Sequence, residues 1–400
     1  MAPGQVLKKR NLGPRSLSAF THFPQHLKTV YQFLYRTTDG LGQPVAAVAT
    51  LAIPYHANYS TLVSHQTAED SISKDCAPSF TLRQGAKAAD RLVQAEIILI
   101  DSLLKHGWPV LISDYESVNA MFGVGLMAGH GVLDGIRAVL ASGIDTGMQP
   151  NAKVQLYGYS GGALASGWAV QLHKSYAPEL DIIGAVMGGT PVDIGPLVYR
   201  LKGSGFEVLG VVGLMGLMKQ YPELAEVVNS VVRPDKRDEF ETLKTACVTK
   251  SLIKYGSRDL DYYLNQTDFL DEPISKMTIE KNLMGRMGPP AMPLFMFHAE
   301  NDEVIPYKAV EKMYTDWCKD DARIEFVRDN RAKHAVLQFA GAANGILFLE
   351  RIYNGIHVPA GCSMRATNSS AMDPGAPMVF GKGIWNVFSA ILGIPIGPIL

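Results

Sequence analysis

Gly158-Tyr159-Ser160-Gly161-Gly162 matches the G-x-S-x-G pattern of a nucleophile elbow. That pattern carries chemistry only where a strand turns sharply into a helix with the serine at the bend. The flanks have this character. Lys153-Val154-Gln155-Leu156-Tyr157 alternates polar and apolar side chains, as a strand does. Ala163 to Leu172 is a run of small and apolar residues that reads as a helix. Gly158, Gly161 and Gly162 let the backbone bend tightly and pack closely. Such a turn holds Ser160 in a strained conformation, its hydroxyl exposed above a helix N-terminus. In a chain with 38 glycines the five letters alone also fit a structural turn, so the strand and helix on either side single out Ser160 as the candidate nucleophile.

Strand and helix signals alternate outward from this point. Val45 to Ile53 reads as a strand ended by Pro54, Ala86 to Gly107 as a helix, and Trp108 to Asp114 as a short buried strand. Gly129 to Ser142 reads as a helix. Asp181 to Met187, Pro293 to His298 and Ile324 to Val327 read as further strands. This alternation predicts an α/β fold with a mostly parallel sheet flanked by helices. Between Pro191 and Pro289 it stops. Phe206 to Met218 is apolar and glycine-punctuated, and Tyr221 to Arg237 and Glu239 to Leu252 look helical. The expected organisation is a core over 1–190 and 290–370 with an inserted helical cap over 191–289, an extension of the core helices being the alternative. A cap there hangs above the C-terminal ends of the strands, where open α/β sheets bind ligands.

A serine hydroxyl needs a base to take its proton, and the base needs an acid to orient it. In α/β-hydrolases these follow in the order serine, acid, histidine. The strand Pro293–His298 runs into Ala299-Glu300-Asn301-Asp302-Glu303, and Asp302 is the candidate acid, with Glu300 and Glu303 as solvated loop charges. Two histidines lie well downstream. His334 falls in a loop between the strand Ile324–Val327 and a helix over Val336 to Glu350, the place for a mobile base; His357 reads as structural. The oxyanion needs two backbone N–H donors, one from Gly161, the residue after the nucleophile. Asp114, at the end of the strand Val110–Ser113, is the candidate for the other, its alternative being a plain turn aspartate. The ten histidines show no grouped ligand spacing, so neither a catalytic metal nor a cofactor is expected.

Bulk properties bound the rest. The 400 residues are 47% hydrophobic and 19% charged with a formal net charge of −1, which fits a folded domain with a sizeable core and argues against nucleic-acid binding. Cys76, Cys247, Cys318 and Cys362 lack metal or redox spacing and suit either two disulfides or four buried thiols. Three sequons, at Asn58, Asn265 and Asn368, tilt toward an oxidising, glycosylating compartment. The stretch Met1 to Arg15 tilts the other way, because it lacks an apolar run of signal-peptide length. No internal stretch reaches about 18 uninterrupted apolar residues, so no transmembrane helix is expected. The apolar run Ile384–Leu400, broken by Asn386, Ser389, Gly393 and prolines, reads as a surface flap within 371–400.

Beyond the elbow, the chain resembles the fungal secretory lipase family over nearly its whole length. The resemblance rests on Val63-Ser64-His65-Gln66-Thr67-Ala68-Glu69-Asp70, Asp75-Cys76-Ala77-Pro78-Ser79, Leu133-Asp134-Gly135-Ile136-Arg137 and Ser175-Tyr176-Ala177-Pro178-Glu179. Gly188-Gly189-Thr190-Pro191 and Asp302-Glu303-Val304-Ile305-Pro306 extend it, as do Phe380-Gly381-Lys382 and Ile396-Gly397-Pro398 in the C-terminal flap. It implies an α/β-hydrolase with a cap, Ser160, Asp302 and His334 as triad, and Asp114 and Gly161 as oxyanion donors. It also implies the disulfides Cys76–Cys247 and Cys318–Cys362. It further implies an extracellular protein acting on fatty-acyl or other carboxylic esters, at a lipid–water interface, with an intracellular location as the alternative. The cap matches the family weakly, which leaves the acyl chain length open. Two other functions are weighed against the ester hydrolase: an acyltransferase or deacetylase acting on a secondary metabolite, and a catalytically silent hydrolase fold used for binding.

Overall fold

A computed structural model describes residues 1–20, 23–86, 90–195, 197–266 and 268–379; most of the expected flap over 371–400 lies outside them. Among the described residues twelve strands run in chain order: Val6–Asn11 (β1), Ser18–Ala19 (β2), Phe23–Pro24 (β3), Thr29–Thr38 (β4), Pro44–Ile53 (β5), Thr61–Gln66 (β6), Val110–Ser113 (β7), Lys153–Tyr159 (β8), Ile182–Gly188 (β9), Leu294–Ala299 (β10), Ile324–Asp329 (β11) and Cys362–Thr367 (β12). Ten form one sheet in the order β1-β4-β5-β7-β6-β8-β9-β10-β11-β12. From β7 to β12 every pair is parallel, whereas β1, β4 and β5 join as an antiparallel edge. This is the α/β-hydrolase sheet, and parallel strands of this kind are buried on both faces. Accordingly β6, β7 and β10 are buried at every residue.

One strand at the centre of the sheet was not legible. Thr61-Leu62-Val63-Ser64-His65-Gln66 mixes polar and apolar residues, yet it forms β6 and pairs directly with the nucleophile strand β8, Gln66 opposite Gly158. Most of its buried polar atoms are matched within the protein, His65 Nδ1 being an exception. His65 Nε2 meets Glu96 Oε2 at 2.9 Å, and the Gln66 side-chain amide hydrogen-bonds Ser166 Oγ at 2.7 Å. Burial with partners removes the alternation that marks a half-exposed strand.

Several helix boundaries also differ from the sequence reading. The stretch 86–107 resolves into Arg91–Ala95 and Ile97–Leu104. The stretch 239–252 breaks into Arg237–Leu243 and Val248–Tyr255, with Cys247 at the break. Cys247 is disulfide-bonded to Cys76, and Cys318 to Cys362. One described helical run, His334–Tyr353, is long and apolar enough to cross a membrane by length and composition. Half of it is buried, with Ile346, Phe348 and Leu349 in the core, as in a helix packed on a sheet.

Between β9 and β10 the chain is helical, from Leu197 to Lys281. The helix Glu207–Gln220 forms the heart of this insertion. It buries Val208, Val211, Val212, Leu214 and Met215 in a hydrophobic cluster with Leu224, Phe240 and Tyr263. Beyond the disulfide, polar contacts fasten the insertion to the core. Val248 N donates to Ser71 Oγ at 3.0 Å, Thr249 N donates to Asp90 Oδ2 at 2.9 Å, and Lys219 Nζ donates to the Asn119 carbonyl at 2.8 Å.

Candidate active site

The turn from β8 into the helix Gly161–Tyr176 places Ser160 at φ 53°, ψ −121°, a left-handed conformation strained for a residue with a side chain. The glycines around it are sterically obligatory. A Cβ on Gly158 would lie 2.1 Å from the Gly162 carbonyl oxygen, and one on Gly162 would lie 2.0 Å from that of Gln66. The elbow is therefore locked against the end of β6.

Three expected residues come together here. His334 Nε2 is 2.8 Å from Ser160 Oγ, and His334 Nδ1 is 2.8 Å from Asp302 Oδ2. Asp302, just past β10, accepts the N–H groups of Val304 and Ile305 on Oδ1, at 2.9 and 2.7 Å. Burial opposes its charge, but the His334 charge and hydrogen bond, with His298 and the Ile305 N–H, outweigh burial and hold its carboxyl below the usual range. His334 is not in a loop as expected. It is the first residue of the helix His334–Ala340, buried, with its N–H on Glu303 Oε2 at 3.0 Å and its carbonyl receiving the Tyr159 hydroxyl at 2.6 Å. Buried His298 donates Nε2–H to the Ile305 carbonyl at 3.0 Å, and burial lowers its pKa. Glu303 thus orients His334, and His357 is exposed. A hydroxyl, imidazole and carboxylate in this chain can transfer the serine proton to His334 while the carboxylate fixes the ring.

The expectation for Asp114 is overturned. Its N–H donates to the Val48 carbonyl at 2.8 Å, and its carboxylate receives the Ser79 N–H at 2.9 Å as well as the Ser79 hydroxyl. A donor spent inside the sheet cannot serve an oxyanion. Asp114 follows β7, one strand further from the nucleophile than β6. The loop after β6 instead brings Asp70 to the site. Asp70 has φ 43° and lines the same cavity as Ser160 and Gly161, and a Cβ on Gly161 would lie 1.9 Å from its Oδ1. This loop is fastened by the Ala68 N–H on Glu96 Oε1 at 2.8 Å and the Tyr115 hydroxyl on the Thr67 carbonyl at 2.7 Å. The signal that could have found Asp70 is the strand ahead of it.

Asp70 as a residue is partly exposed, yet its Oδ1 is shut off from solvent and unpartnered. Burial, helped by the Glu96 and Asp90 charges and opposed by His334, raises its pKa to about 7. Burial raises Asp114 to about 7 as well, and pushes Glu69 and Glu116 well up. Carboxyls raised on folding bind more protons folded than unfolded between about pH 4 and 7, so stability falls as pH rises through that window. The depressed Asp302 and Asp329 act oppositely, their contribution being lost only as pH drops below the unfolded value of 3.8. Thermal melts are expected to peak near pH 4 to 5 and to fall by about 5 °C or more by pH 8. Asp70→Asn is expected to flatten that decline; a melting point that rises from pH 5 to 8 refutes it.

Two apolar cavities meet at Ser160. The larger also touches Gly161 and extends among Leu209, Gly213, Leu214, Leu217 and Leu224 of the helical insertion. The smaller also touches His334. Among the described residues no group of acidic, histidine and cysteine side chains is arranged to hold a metal ion.

A family model described as secretory lipase matches residues 82–360. The chain belongs to the secretory lipase family. It is 35% identical to lipase A of Arthroderma benhamiae over 99% of this chain and 86% of that one. It is 32% identical to a secreted triacylglycerol lipase of Malassezia globosa, over 99% and 87% of the two chains. Candida antarctica lipase A in its closed state matches with a TM-score of 0.85 at 27% identity, covering 100% of this chain and 95% of that one. The protein is a carboxylic ester hydrolase. The secretory character of the family agrees with the two disulfides, since such bonds persist in oxidising compartments.

Proposed function

We propose that this secretory lipase cleaves fatty-acyl esters, triacylglycerols among them, through an acyl-enzyme on Ser160. The observation that carries this is the chain Ser160 Oγ, His334, Asp302, with two 2.8 Å links, opening onto an apolar cavity that runs into the helical insertion. His334 takes the Ser160 proton as Oγ attacks the ester carbonyl, and Asp302 steadies the imidazolium. The N–H groups of Gly161, at a helix start, and of Asp70, after β6, receive the oxyanion. His334 then protonates the leaving alkoxide, and a water attacks the acyl-enzyme with His334 again as base.

Residues 191–289 act as the cap, and the acyl chain lies within it. Gly213 lines the larger cavity, and the nearest atom to a Cβ there is a Phe122 ring carbon at 3.8 Å, so a side chain at 213 projects into the space that the chain uses. A series of p-nitrophenyl esters and triglycerides tests the reading. Wild type is expected to prefer long chains. Gly213→Leu is expected to lose about tenfold or more in kcat/KM on long esters while keeping its rate on acetate or butyrate, because each excluded methylene forfeits about 0.8 kcal/mol. Equal losses at every length contradict a chain lodged in the cap.

The protein acts outside the cell, in this reading, where its disulfides persist. Asn265 and Asn368 are exposed and suit glycans, whereas the Asn58 amide is occupied by the Tyr353 hydroxyl at 2.7 Å.

A further inference from the structure

The smaller cavity is not a mere continuation of the larger one. Both contain Ser160, Asp70, Leu209 and Val304, but only the larger reaches Gly161 and only the smaller reaches His334. This asymmetry has a chemical meaning. In the tetrahedral adduct the oxyanion points to the N–H donors, while the leaving oxygen must take a proton from the base. The branch that contains the base is therefore the one that receives the alcohol.

Away from Ser160, His334 and Asp70 the walls of that branch are mostly hydrocarbon. Leu92 approaches from the helix Arg91–Ala95, Phe206 and Leu209 from the start of the central cap helix, and Val248 and Leu252 from the helix Val248–Tyr255. Gln338, one turn beyond His334, adds a polar side chain to the lining. Glu96 also borders the cavity, but its oxygens are engaged by His65 and the Ala68 N–H. The facing walls are also fixed to one another. Cys247, at the start of the helix that carries Val248 and Leu252, is disulfide-bonded to Cys76 of the core. Asp90, which caps the helix carrying Leu92, accepts both the N–H and the hydroxyl of Thr249, at 2.9 and 2.7 Å. The space is thus preformed, which spares the ordering cost that a collapsing pocket imposes on binding.

We infer that this cavity is a built subsite for the alcohol half of the ester, and that it selects a leaving group with a hydrocarbon body, such as a long-chain alcohol or an acylated glycerol, over a polyol or polyether. The inference rests on the triad reading above. The step it serves is balanced within the site. The bond between the carbonyl carbon and the leaving oxygen breaks, its electron pair going to that oxygen. The oxyanion pair re-forms the carbonyl of the Ser160 ester, and the proton on His334 Nε2 passes to the leaving oxygen. The neutral alcohol departs through the apolar branch.

The test compares octanoate esters of 1-octanol and of triethylene glycol monomethyl ether, alcohols of similar length. The ether oxygens make the glycol the better leaving group, so a preference for octanol reports binding rather than intrinsic reactivity. Wild type is expected to favour the octyl ester by about tenfold or more in kcat/KM, the worth of a few buried methylenes. Leu92→Gln combined with Leu252→Gln is expected to bring that ratio to within about twofold of unity, while the octanoate-to-butyrate ratio for methyl esters stays as in wild type. Leu92→Gln alone, at a side chain already 45% exposed, is expected to lower the ratio in part with no loss of folding. Parity in the wild type overturns the inference. So does a double variant that labels with a fluorophosphonate at the wild-type rate yet keeps the octyl preference, or one that changes acyl preference instead. A wild type that hydrolyses both esters without fluorophosphonate labelling of Ser160 refutes the triad reading instead.

Discussion

Replacing Ser160 by alanine is expected to lower kcat/KM for p-nitrophenyl octanoate by about 10⁵-fold or more, the scale on which losing the nucleophile of a serine–histidine pair acts. The physical basis is specific to this turn. Ser160 holds a positive φ of 53° between glycines that tolerate no side chain, and its Oγ is 2.8 Å from the imidazole. Alanine keeps the backbone and deletes only the hydroxyl, so the melting point is expected to stay within about 2 °C of wild type, as for a substitution that touches no packing. His334→Ala is expected to cost nearly as much, and the double variant little more than either alone, because the two groups act as a unit. A Ser160→Ala enzyme that keeps about 1% or more of the wild-type rate is incompatible with the proposed nucleophile.

Asp302→Asn is expected to cost about 10⁴-fold in kcat/KM with little change in fold. Asparagine retains an Oδ1 for the Val304 and Ile305 N–H groups, so the turn after β10 holds. It presents an NH₂ where Oδ2 stood, 2.8 Å from His334 Nδ1. That contact forces Nδ1 to accept and puts the ring proton on Nε2, facing Ser160, where it cannot take the hydroxyl proton. Removal of the charge also leaves the imidazolium unsupported in a buried site. Activity assays alongside thermal melts separate the two effects. A loss of less than about tenfold would show that His334 is oriented by something other than Asp302.

The parts of this site that were legible in the sequence are those set by local rules. A glycine-flanked serine between an alternating run and a small-residue run fixes its own conformation, and an acid just past a buried strand falls on the same rim. Asp70 was hidden for a non-local reason. Its position depends on β6 being the strand beside β8, and β6 reads as mixed because Ser64, His65 and Gln66 are buried. His65 finds its partner in Glu96 and Gln66 finds one in Ser166, 31 and 100 residues away. A strand made apolar in effect by distant partners has no periodicity to read, so the turn after β7 drew the assignment to Asp114. The helix breaks at Cys247 and Gly341 were missed for similar reasons. The first joins a disulfide to Cys76, and a Cβ on the second would lie 2.4 Å from the Phe297 ring, so tertiary packing sets both. The two cavities were out of reach too, because the side chains that line each come from segments far apart in the chain.

The covalent chemistry proposed for the bend between β8 and its helix can be caught directly. Acid-quenching the enzyme during turnover of p-nitrophenyl octanoate, followed by proteolysis and mass spectrometry, weighs the peptide that contains Gly158 to Gly162. The expected spectrum shows that peptide carrying one octanoyl group on Ser160, absent from the Ser160→Ala protein. Turnover at full rate with the acyl group on another residue, or on none, contradicts the account.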